Sequence, residues 1–257
     1  MRSKLFSAAI ALSLIFAASA VVRAADIDDA KAAVKKLADA PNYTWTTSIQ
    51  GGFGNQQPVD YKTEKGGYTT FTFTPQGGDA MDVVLKGDKG VAKAVDGWKS
   101  QAELQKAADD AGGFSPEMIV LIRIGNFTSP ATQAAALLEK ATNVKKEGDT
   151  ISADLAPASA KDLLTFKMPA GMANTFTMTS KEEKGTIKLT LKDGSVTKVE
   201  VHLTGTRTFN DQDNPVDQTT TMAIKDVGTT KVTVPEDAKK KLEAAATASA
   251  PATAPKP

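Results

Sequence analysis

The sequence predicts an α+β domain in which a large antiparallel sheet has helices packed on one of its faces. Two stretches, residues 43–98 and 174–234, alternate between apolar and polar side chains and contain glycine turns, which is typical of short strands in a meander. Between them, residues 100–164 repeat their apolar side chains at helical spacing. This order favours one shared core, because the apolar faces of the sheet and of the helices must be buried against each other.

The first residues are typical of an export signal. Arg2 and Lys4 precede the apolar run Leu5–Ala18, and small residues end at Ala24 with the spacing that a signal peptidase recognises. A membrane anchor is the alternative, but an apolar run of about 14 residues is shorter than the roughly 20 residues that a spanning helix needs. We therefore predict a cleaved signal peptide, residues 1–24, and a periplasmic protein that does not span the membrane.

The composition supports this location and argues against some functions. The chain has no cysteine, so neither an acyl anchor on cysteine nor a disulfide can form, and core burial must stabilise the domain. Removal of residues 1–24 takes away three cations and no acid, so the formal charge falls from +1 to −2. Such a balanced surface gives no basis for nucleic-acid binding. We expect one domain over residues 25–243 and a disordered Ala/Pro/Thr tail over residues 244–257.

The mature chain begins with a predicted amphipathic helix, Asp26–Ala38, which Pro41 ends. Strands follow, in which Trp45 and the later aromatic residues alternate with threonines. Glycine pairs and Asp-Gly sequences between these segments are signals for tight turns. The predicted strands of this part are Tyr43–Ile49, Tyr68–Thr74, Met81–Lys86 and Val91–Val95.

The middle of the chain contains three signals for helix starts. Ser100 and Glu103 form a capping-box pattern for a helix that Gly112 ends, and Ser115 and Ser129 each precede a proline at the first helical position. The second helix is apolar on nearly all sides except at Arg123, so it is either buried all round or faces a ligand space. The later predicted elements of this part are a helix with Ala134, Leu137, Leu138 and Ala141 inward, the strand Thr150–Leu155 and a short helix, Ser159–Leu164.

The sheet is predicted to resume near Asn174, with Asp193-Gly194 as a further turn signal. A closing helix, Pro235–Leu242, has proline first, acids early and cations late. The predicted strands of this half are centred on Met178, Ile187–Leu191, Val199–Leu203, Gly205–Asn210, Thr219–Lys225 and Thr230–Val234.

These segments together resemble periplasmic lipoprotein and lipid carriers of the LolA and LppX kind. Met81–Gly90 and Gly97-Trp98 are similar to the early hairpins of such carriers, and Ile151–Leu164 to a strand that leads into a short helix. Thr186–Leu203 and Asp226–Pro235 complete the resemblance. It implies a large curved antiparallel sheet in the form of an incomplete barrel, with helices packed on its inner face and an apolar cavity for acyl chains.

Patterns of catalytic residues are nearly absent from the sequence. One histidine and no cysteine exclude a Cys-His nucleophile and any site with two histidines, and no nucleophile elbow, phosphate loop or dinucleotide fingerprint occurs. His202 lies beside Lys198 and Glu200 on the polar face of its predicted strand, so we interpret it as a solvated residue rather than a base. Serine or carboxylate chemistry without histidine is the remaining alternative. We predict no enzymatic activity and no cofactor.

One carboxylate cluster has the composition of a cation site. Asp211, Asp213, Asn214 and Asp217 could supply the hard oxygens that calcium prefers. The segment lacks the glycine and the distal glutamate of a helix-loop-helix site, and Asn, Asp and Pro are also ordinary hairpin residues. We interpret the segment as a plain turn and predict no metal site, with calcium binding as the open alternative.

Aromatic side chains and methionines are the candidates for lining a ligand space. Each of them also fits an ordinary core, but a curved sheet covered by small helices favours an apolar pocket between the layers, and methionine adapts to varied apolar ligands. Trp98 is expected to close one end of this space. The predicted ligand-binding residues are Trp45, Phe71, Phe73, Trp98, Met118, Ile122, Phe176 and Met178.

These observations lead to two hypotheses about function. The first is an exported, non-enzymatic binder or carrier of an apolar ligand: an acyl chain, a lipid or the lipid moiety of a lipoprotein. Its expected partners are a lipid or lipidated protein, with an envelope protein as a further partner. The alternative is an envelope interaction or sensor module with the same fold and a filled core, which would use the threonine-rich outer sheet and the tail as contact surfaces.

Overall fold

The computed structural model describes residues 26–52, 56–75, 78–112, 115–165 and 178–248. In this part of the chain, an 11-stranded antiparallel sheet is accompanied by six helices. The sheet does not close on itself, so the predicted α+β incomplete barrel is confirmed. None of the helices in these ranges is long and apolar enough to cross a bilayer.

The elements follow one another in two runs of strands separated by helices. The first run and the helix before it are α1 (26–39), β1 (Asn42–Gly51), β2 (Gln56–Glu64), β3 (Thr69–Phe73), β4 (Met81–Lys86), β5 (Lys89–Ala94) and β6 (Gly97–Ser100). The middle elements are α2 (Gln101–Ala111), α3 (Pro116–Gly125), α4 (Pro130–Glu139), β7 (Thr142–Glu147), β8 (Thr150–Asp154) and α5 (Pro157–Leu164). The last are β9 (Met178–Lys192), β10 (Ser195–Phe209), β11 (Gln212–Lys225) and α6 (Glu236–Ala248).

The strand order shows how the two runs form one sheet. The order is β6-β5-β4-β3-β2-β1-β11-β10-β9-β8-β7, so each run is a meander and the first and last strands join them. At this junction Trp45 lies opposite Ile224 on one side and Tyr61 on the other. The edges of the sheet are the short strands β6 and β7, and β7 exposes Lys145 and Lys146, which discourage pairing with another chain.

The second half of the sheet extends well beyond the first. A two-residue turn joins β10 to β11 at Asn210 and Asp211, which both adopt positive φ angles, of 46° and 63°. From Gln212 at this turn to Ile224 the strand advances twelve residues, about 40 Å at the usual rise per residue. Within the described residues β1 pairs with β11 as far as Gln218, and no strand of the first half pairs with the distal part of the β10–β11 hairpin.

The core lies between the concave face of the sheet and helices α1 to α5. Helix α1 crosses one end of the sheet, where Lys36 Nζ donates to the carbonyl of Asp193 (3.3 Å) and Asp39 accepts from Lys65 (2.8 Å). Helix α3 approaches β5 so closely that a Cβ atom at Gly90 would lie 2.8 Å from Ile124. A larger residue here would have to displace the side chains of Ile124 and Leu85, so glycine favours the close approach of the helix to the sheet.

Helix α6 packs on the other face of the sheet, unlike the helices that the prediction places inside. Its buried residues Ala238 and Leu242, with Val234 just before it, cover Val84 of β4 and Val91 of β5. The prediction of helices on the inner face therefore holds for α1 to α5, and α6 is the exception. Helix α6 extends to Ala248, beyond the predicted end of the closing helix at Leu242; residues 249–257, the rest of the predicted tail, lie outside the described part of the chain.

Several strand predictions need correction. Strands β2 and β7 were not predicted, because Pro58 interrupts the first and the second has Val144 as its one apolar side chain. The predicted pair Gly205–Asn210 and Thr219–Lys225 consists of parts of the longer strands β10 and β11. Residues 230–234 are not a strand; Val234 is buried because it packs against α6 and the outer face of the sheet.

Candidate functional site

A cluster of aromatic rings fills the concave face where β1, β2 and β3 lie side by side. Trp45 stacks on Tyr61, with 4.7 Å between ring centroids and 4° between ring planes, and Tyr61 contacts Phe71 at 4.8 Å. Phe127, from the loop between α3 and α4, lies 6.1–6.5 Å from these three rings. Tyr43 lies 5.5 Å from Trp45. We call these five residues the aromatic cluster.

The aromatic cluster is attached to the helical layer by few polar contacts. Burial raises the pKa of the Tyr43 phenol, and hydrogen bonding with Ser129 and with the backbone of Ala131 opposes this rise. These contacts join β1 to the first turn of α4, where Ser129 caps the helix by accepting from Thr132 N–H (3.2 Å). Most of the remaining contact between the layers is apolar packing, through side chains such as Leu138.

Arg123 of α3 is a charged residue in this otherwise apolar layer. Its guanidinium lies 3.9 Å from the ring centroid of Phe73, and its Nη1 donates to the hydroxyl of Tyr61 (3.2 Å). The side chain is half-buried and directed at the sheet. The apolar side chains of α3 are all buried or half-buried, so the helix is covered on nearly all sides, as one of the two predicted alternatives has it. Whether it also faces a ligand space stays a prediction.

The distal part of the concave face has a different lining. Arg207 of β10 is 5% exposed, and its Nε donates to the carbonyl of Leu164, the last residue of α5, at 2.6 Å. Burial lowers the pKa of Arg207. A Cβ atom at Gly205, whose φ is +155°, would lie 3.1 Å from the Leu164 side chain, so glycine permits the close approach of α5 to the sheet.

Of two concave spaces on this part of the molecule, one lies beside the aromatic cluster. The smaller, of about 190 Å³, lies between the β4–β5 turn and the end of α3, and Leu85, Ile124 and Phe127 line it. The larger, of about 480 Å³, is an open cleft at the rim, where Lys99 and Glu117 are among the charged residues of both signs that line it. The smaller space therefore reaches the aromatic cluster, whereas the larger one lies at the edge of the sheet.

The structure brings some of the predicted ligand-binding residues together and separates others. Trp45, Phe71 and Phe73 are buried on the concave face, as is Met118 of α3, and Ile122 is half-buried beside them. These five residues therefore share the layer between sheet and helices. Whether they contact a ligand stays a prediction.

Trp98 does not lie in this layer. It pairs with Lys93 on the face of β5 that carries Val91 and packs with the residues that α6 covers. It therefore belongs to the outer face of the sheet, and the expected closure of the inner space by Trp98 needs correction. The sequence of the four-residue strand β6 does not show which of its side chains face inward. Its register with β5, in which Trp98 lies opposite Lys93, places Trp98 on the outer face.

Met178 is also remote from the aromatic cluster. It pairs with Phe209, the last residue of β10, and therefore lies next to the β10–β11 turn. This turn is about 40 Å along the strands from Trp45. Met178 therefore does not share a site with Trp45. The predicted residue Phe176 lies outside the described part of the chain.

The carboxylate segment forms the β10–β11 hairpin, as the plain-turn interpretation requires. Asp213 accepts from Thr208 Oγ1 and from Lys181 Nζ, both at 2.6 Å, and Asp217 contacts His202 at 2.8 Å. Within the described residues, no group of three metal-ligating side chains comes together. The side chain of His202 is 45% exposed on the outer face of the sheet, as predicted.

Four residues of this site are absent from the predicted ligand-binding set: Tyr43, Tyr61, Arg123 and Phe127. Tyr61 was overlooked together with β2, although the alternation of Val59 and Tyr61 with the polar Asp60 and Lys62 was the available signal. Arg123 was noticed as an interruption of an apolar helix but was given no role. The direction in which the Arg123 side chain points depends on how α3 is rotated about its axis where it packs on β5. Gly90 is the residue in the sequence that indicates this close contact between α3 and β5.

Comparison of this chain with known proteins finds similarity among solved structures. No protein-family model and no curated protein matches it. Among solved structures, it is similar to the lipoprotein LppX of Mycobacterium tuberculosis, with a TM-score of 0.47 and 11% identity, covering 82% of this chain and 98% of that one. It is similar to LprF of Mycobacterium bovis, with a TM-score of 0.40 and 10% identity, covering 83% and 97%. For a LolA superfamily protein of Nitrosomonas europaea the TM-score is 0.32 and the identity 6%, covering 82% and 94%. Two of these three structures, LppX and the LolA superfamily protein, have the names of the two kinds of carrier that the sequence resembles.

Proposed function

We propose that this protein is an exported, non-enzymatic binder or carrier of a ligand with an apolar part, held between the concave face of the sheet and helices α3 and α4. The ligand would be an acyl chain, a lipid or the lipid moiety of a lipoprotein. Cleavage of the signal peptide after Ala24 would release the protein into the periplasm. The observation that supports this function best is the layer itself, which is apolar and is formed by separate elements on an open sheet.

The two layers can separate without unfolding either of them. Backbone hydrogen bonds hold the sheet together within its own plane, while α3 and α4 rest on it mostly through side-chain packing. Apolar packing is non-directional. An acyl chain can therefore take the place of a helix side chain against Phe71 of the sheet, or of a sheet side chain against Leu138 of α4. Met81, Met118 and Met222 give the layer side chains that adapt to different shapes.

The size of the existing space indicates that the ligand must open this layer. Ligand sites usually enclose roughly 300–1,000 Å³, whereas the space that reaches Phe127 has about 190 Å³. Phe127 belongs to a loop and is half-buried, so it can leave the aromatic cluster at a lower cost than a strand residue. A bound chain would then occupy the position of the Phe127 ring beside Phe71 and Trp45.

A binding experiment tests this proposal. The protein without its first 24 residues is unfolded, freed of lipid and refolded, and then titrated with a fluorescent fatty acid such as 11-(dansylamino)undecanoic acid. We expect a rise in dansyl emission with a dissociation constant in the micromolar range, about −8 kcal/mol. The absence of uptake for this probe and for several unlabelled lipids, measured by displacement and by calorimetry, would contradict the proposal.

A second function is favoured by the close packing of the aromatic cluster. Trp45 is 2% exposed and is stacked on Tyr61, as in a filled core that needs no ligand. The protein would then act as an interaction or sensor module of the envelope, and its outer sheet would contact the partner. Cross-linking in cells distinguishes the two functions: a partner captured equally by the wild type and by a Phe127→Trp variant that fills the small space supports the module.

A further inference from the structure

The open cleft at the rim of the sheet lies at the ends of strands β4, β5 and β6. Its volume of about 480 Å³ falls within the usual range of ligand sites, roughly 300–1,000 Å³. Three separate segments form its walls: the residues that lead into β4, the turn between β5 and β6, and the first turn of α3. A cleft of ligand size therefore exists here without any separation of the two layers.

The floor of this cleft is continuous with the core between the layers. Met81, at the start of β4, lines the cleft, is 6% exposed and lies opposite Phe73 in the sheet. Phe73 shares the inner side of β3 with Phe71 of the aromatic cluster, which is about 7 Å further along the strand. An acyl chain held between the layers can therefore end with its head group in this cleft.

Charged groups of both signs surround the apolar floor. Lys99 and Asp96 form an ion pair of 3.2 Å with each other. Within the described part of the chain, three further charged residues of the lining take part in no ion pair: Asp79, Lys93 and Glu117. Four carboxylates and two lysines line the cleft in all, so its net formal charge is −2. This charge disfavours a purely anionic head, whereas a head with an ammonium group and a phosphate can pair with both signs.

The two unpaired residues that best suit such a head lie on different walls. Glu117 is half-buried in the first turn of α3, and Lys93 is exposed on β5. An acid in the first turn of a helix is favoured by the helix dipole, so Glu117 alone does not indicate a ligand. Together with an unpaired lysine across a cleft of ligand size, it forms a site with complementary charges for a zwitterion.

We propose that this cleft binds the head group of a zwitterionic phospholipid, with the ammonium group at Glu117 and the phosphate at Lys93. The acyl chain would pass over Met81 and Phe73 into the aromatic cluster. The inference rests on the proposed function, and it specifies the class of ligand and the end of the layer at which the head lies.

Three lipids with the same lauroyl chain and different heads test the proposal. Lysophosphatidylethanolamine is zwitterionic at pH 7.5, lysophosphatidic acid is anionic and monolauroylglycerol is neutral. Each is used to displace 11-(dansylamino)undecanoic acid from the protein without its first 24 residues. The wild type should bind the zwitterion about tenfold more tightly than the glyceride, because two ion pairs form and each partly exposed pair contributes a factor of up to about five. It should bind the zwitterion several-fold more tightly than the anion.

Substitutions on the two walls assign the two charges of the head. Glu117→Gln should lower the preference for the zwitterion over the anion to about one, and Glu117→Lys should reverse it. Lys93→Gln should weaken both phosphate lipids by up to about fivefold and leave the glyceride unchanged. Glu139→Gln and Lys140→Gln remove the same charges at the exposed end of α4, outside the cleft, and should keep the wild-type ratios.

The outcomes separate this inference from the proposed function. A wild type that binds the three lipids equally or prefers the anion would overturn the assignment of the cleft, as would ratios that neither Glu117→Gln nor Lys93→Gln changes. In each of these cases the binding of the lipids themselves leaves the proposed function intact. If neither the dansyl fatty acid nor any of the three lipids binds the wild type, the proposed function fails together with the inference.

Discussion

The two faces of strands β4 to β6 are both buried, but by different means. The concave face contributes Val83 and Leu85 to the main core, which includes the aromatic cluster. The outer face contributes Val84, Val91 and the half-buried Trp98 to a small cluster under α6. Elsewhere, the outer face of the sheet carries threonines and charged residues, as on β10 and β11.

This difference assigns different tasks to the two clusters. The outer one is made mostly of aliphatic side chains that attach a single helix, so its loss should free α6 and leave the sheet in place. The inner one joins five helices and the whole sheet and contains the rings and methionines that the proposed ligand would contact. Substitutions on the inner face should therefore change both stability and binding, and those on the outer face stability alone.

The largest effect is expected for Trp45→Ala. Trp45 is 2% exposed and contacts three other rings, so truncation should lower the free energy of unfolding by about 3–5 kcal/mol. Chemical denaturation followed by circular dichroism measures this loss. Trp45→Phe, which keeps an aromatic ring, is the control and should lose much less. A cost below about 1 kcal/mol for Trp45→Ala would show that the aromatic cluster is not part of the core.

A smaller effect is expected for Trp98→Ala. Trp98 is half-buried on the outer face, so the loss of its apolar contacts should cost about 1–2 kcal/mol. Uptake of the dansyl fatty acid should equal that of the wild type, because the sheet separates Trp98 from the inner layer. A clear fall in uptake by a folded Trp98→Ala protein would contradict the separation of the two faces.

The smallest effect concerns the attachment of α6 to α2. Glu103 accepts from Lys241 Nζ (2.8 Å) and from the backbone and hydroxyl of Ser100, and these hydrogen bonds lower the pKa of Glu103 to about 2, from an ordinary value of 4.5. Because the pKa is lower in the folded protein, the contribution is fully present above about pH 4.5 and is lost as the pH falls through about 2.

Glu103→Gln should reveal this contribution. The carboxylate is half exposed, so solvent screening limits the expected loss at pH 7 to about 0.5–1 kcal/mol. The difference between variant and wild type in urea should shrink as the pH is lowered from 5 to 2. Glu243→Gln, a charge-matched change within α6, serves as the comparison. A difference that stays constant over this range would show that Glu103 is not ionically coupled to Lys241.

Much of the fold could be predicted because local signals agreed with the tertiary structure. The capping box of Ser100 and Glu103, the Ser-Pro starts at Ser115 and Ser129 and the Asp193-Gly194 turn are all present in the structure. Strand β7 was missed because an edge strand with one buried side chain gives almost no periodic signal. In β10, Gly205 suggested a break, but it marks the close approach of α5 to a continuous strand.

The candidate site was less predictable because it depends on which face each residue presents. Alternation placed Trp45, Phe71 and Phe73 on one side correctly, since each lies in a strand with threonines on the other side. The face of Trp98 depends on the register of a four-residue strand, which the sequence does not reveal. Phe127 lies in a loop, where no periodicity exists, so only the tertiary structure shows that it belongs to the aromatic cluster.

The most direct test of the account compares the two tryptophans in one experiment. Trp98→Phe leaves Trp45 as the single tryptophan, and Trp45→Phe leaves Trp98. Each protein is titrated with 9,10-dibromostearic acid, whose bromine atoms quench tryptophan emission only at short range. We predict strong, saturable quenching of Trp45 and little quenching of Trp98. Equal quenching of both, quenching of Trp98 alone, or no quenching of either would contradict binding of an acyl chain on the concave face of the sheet.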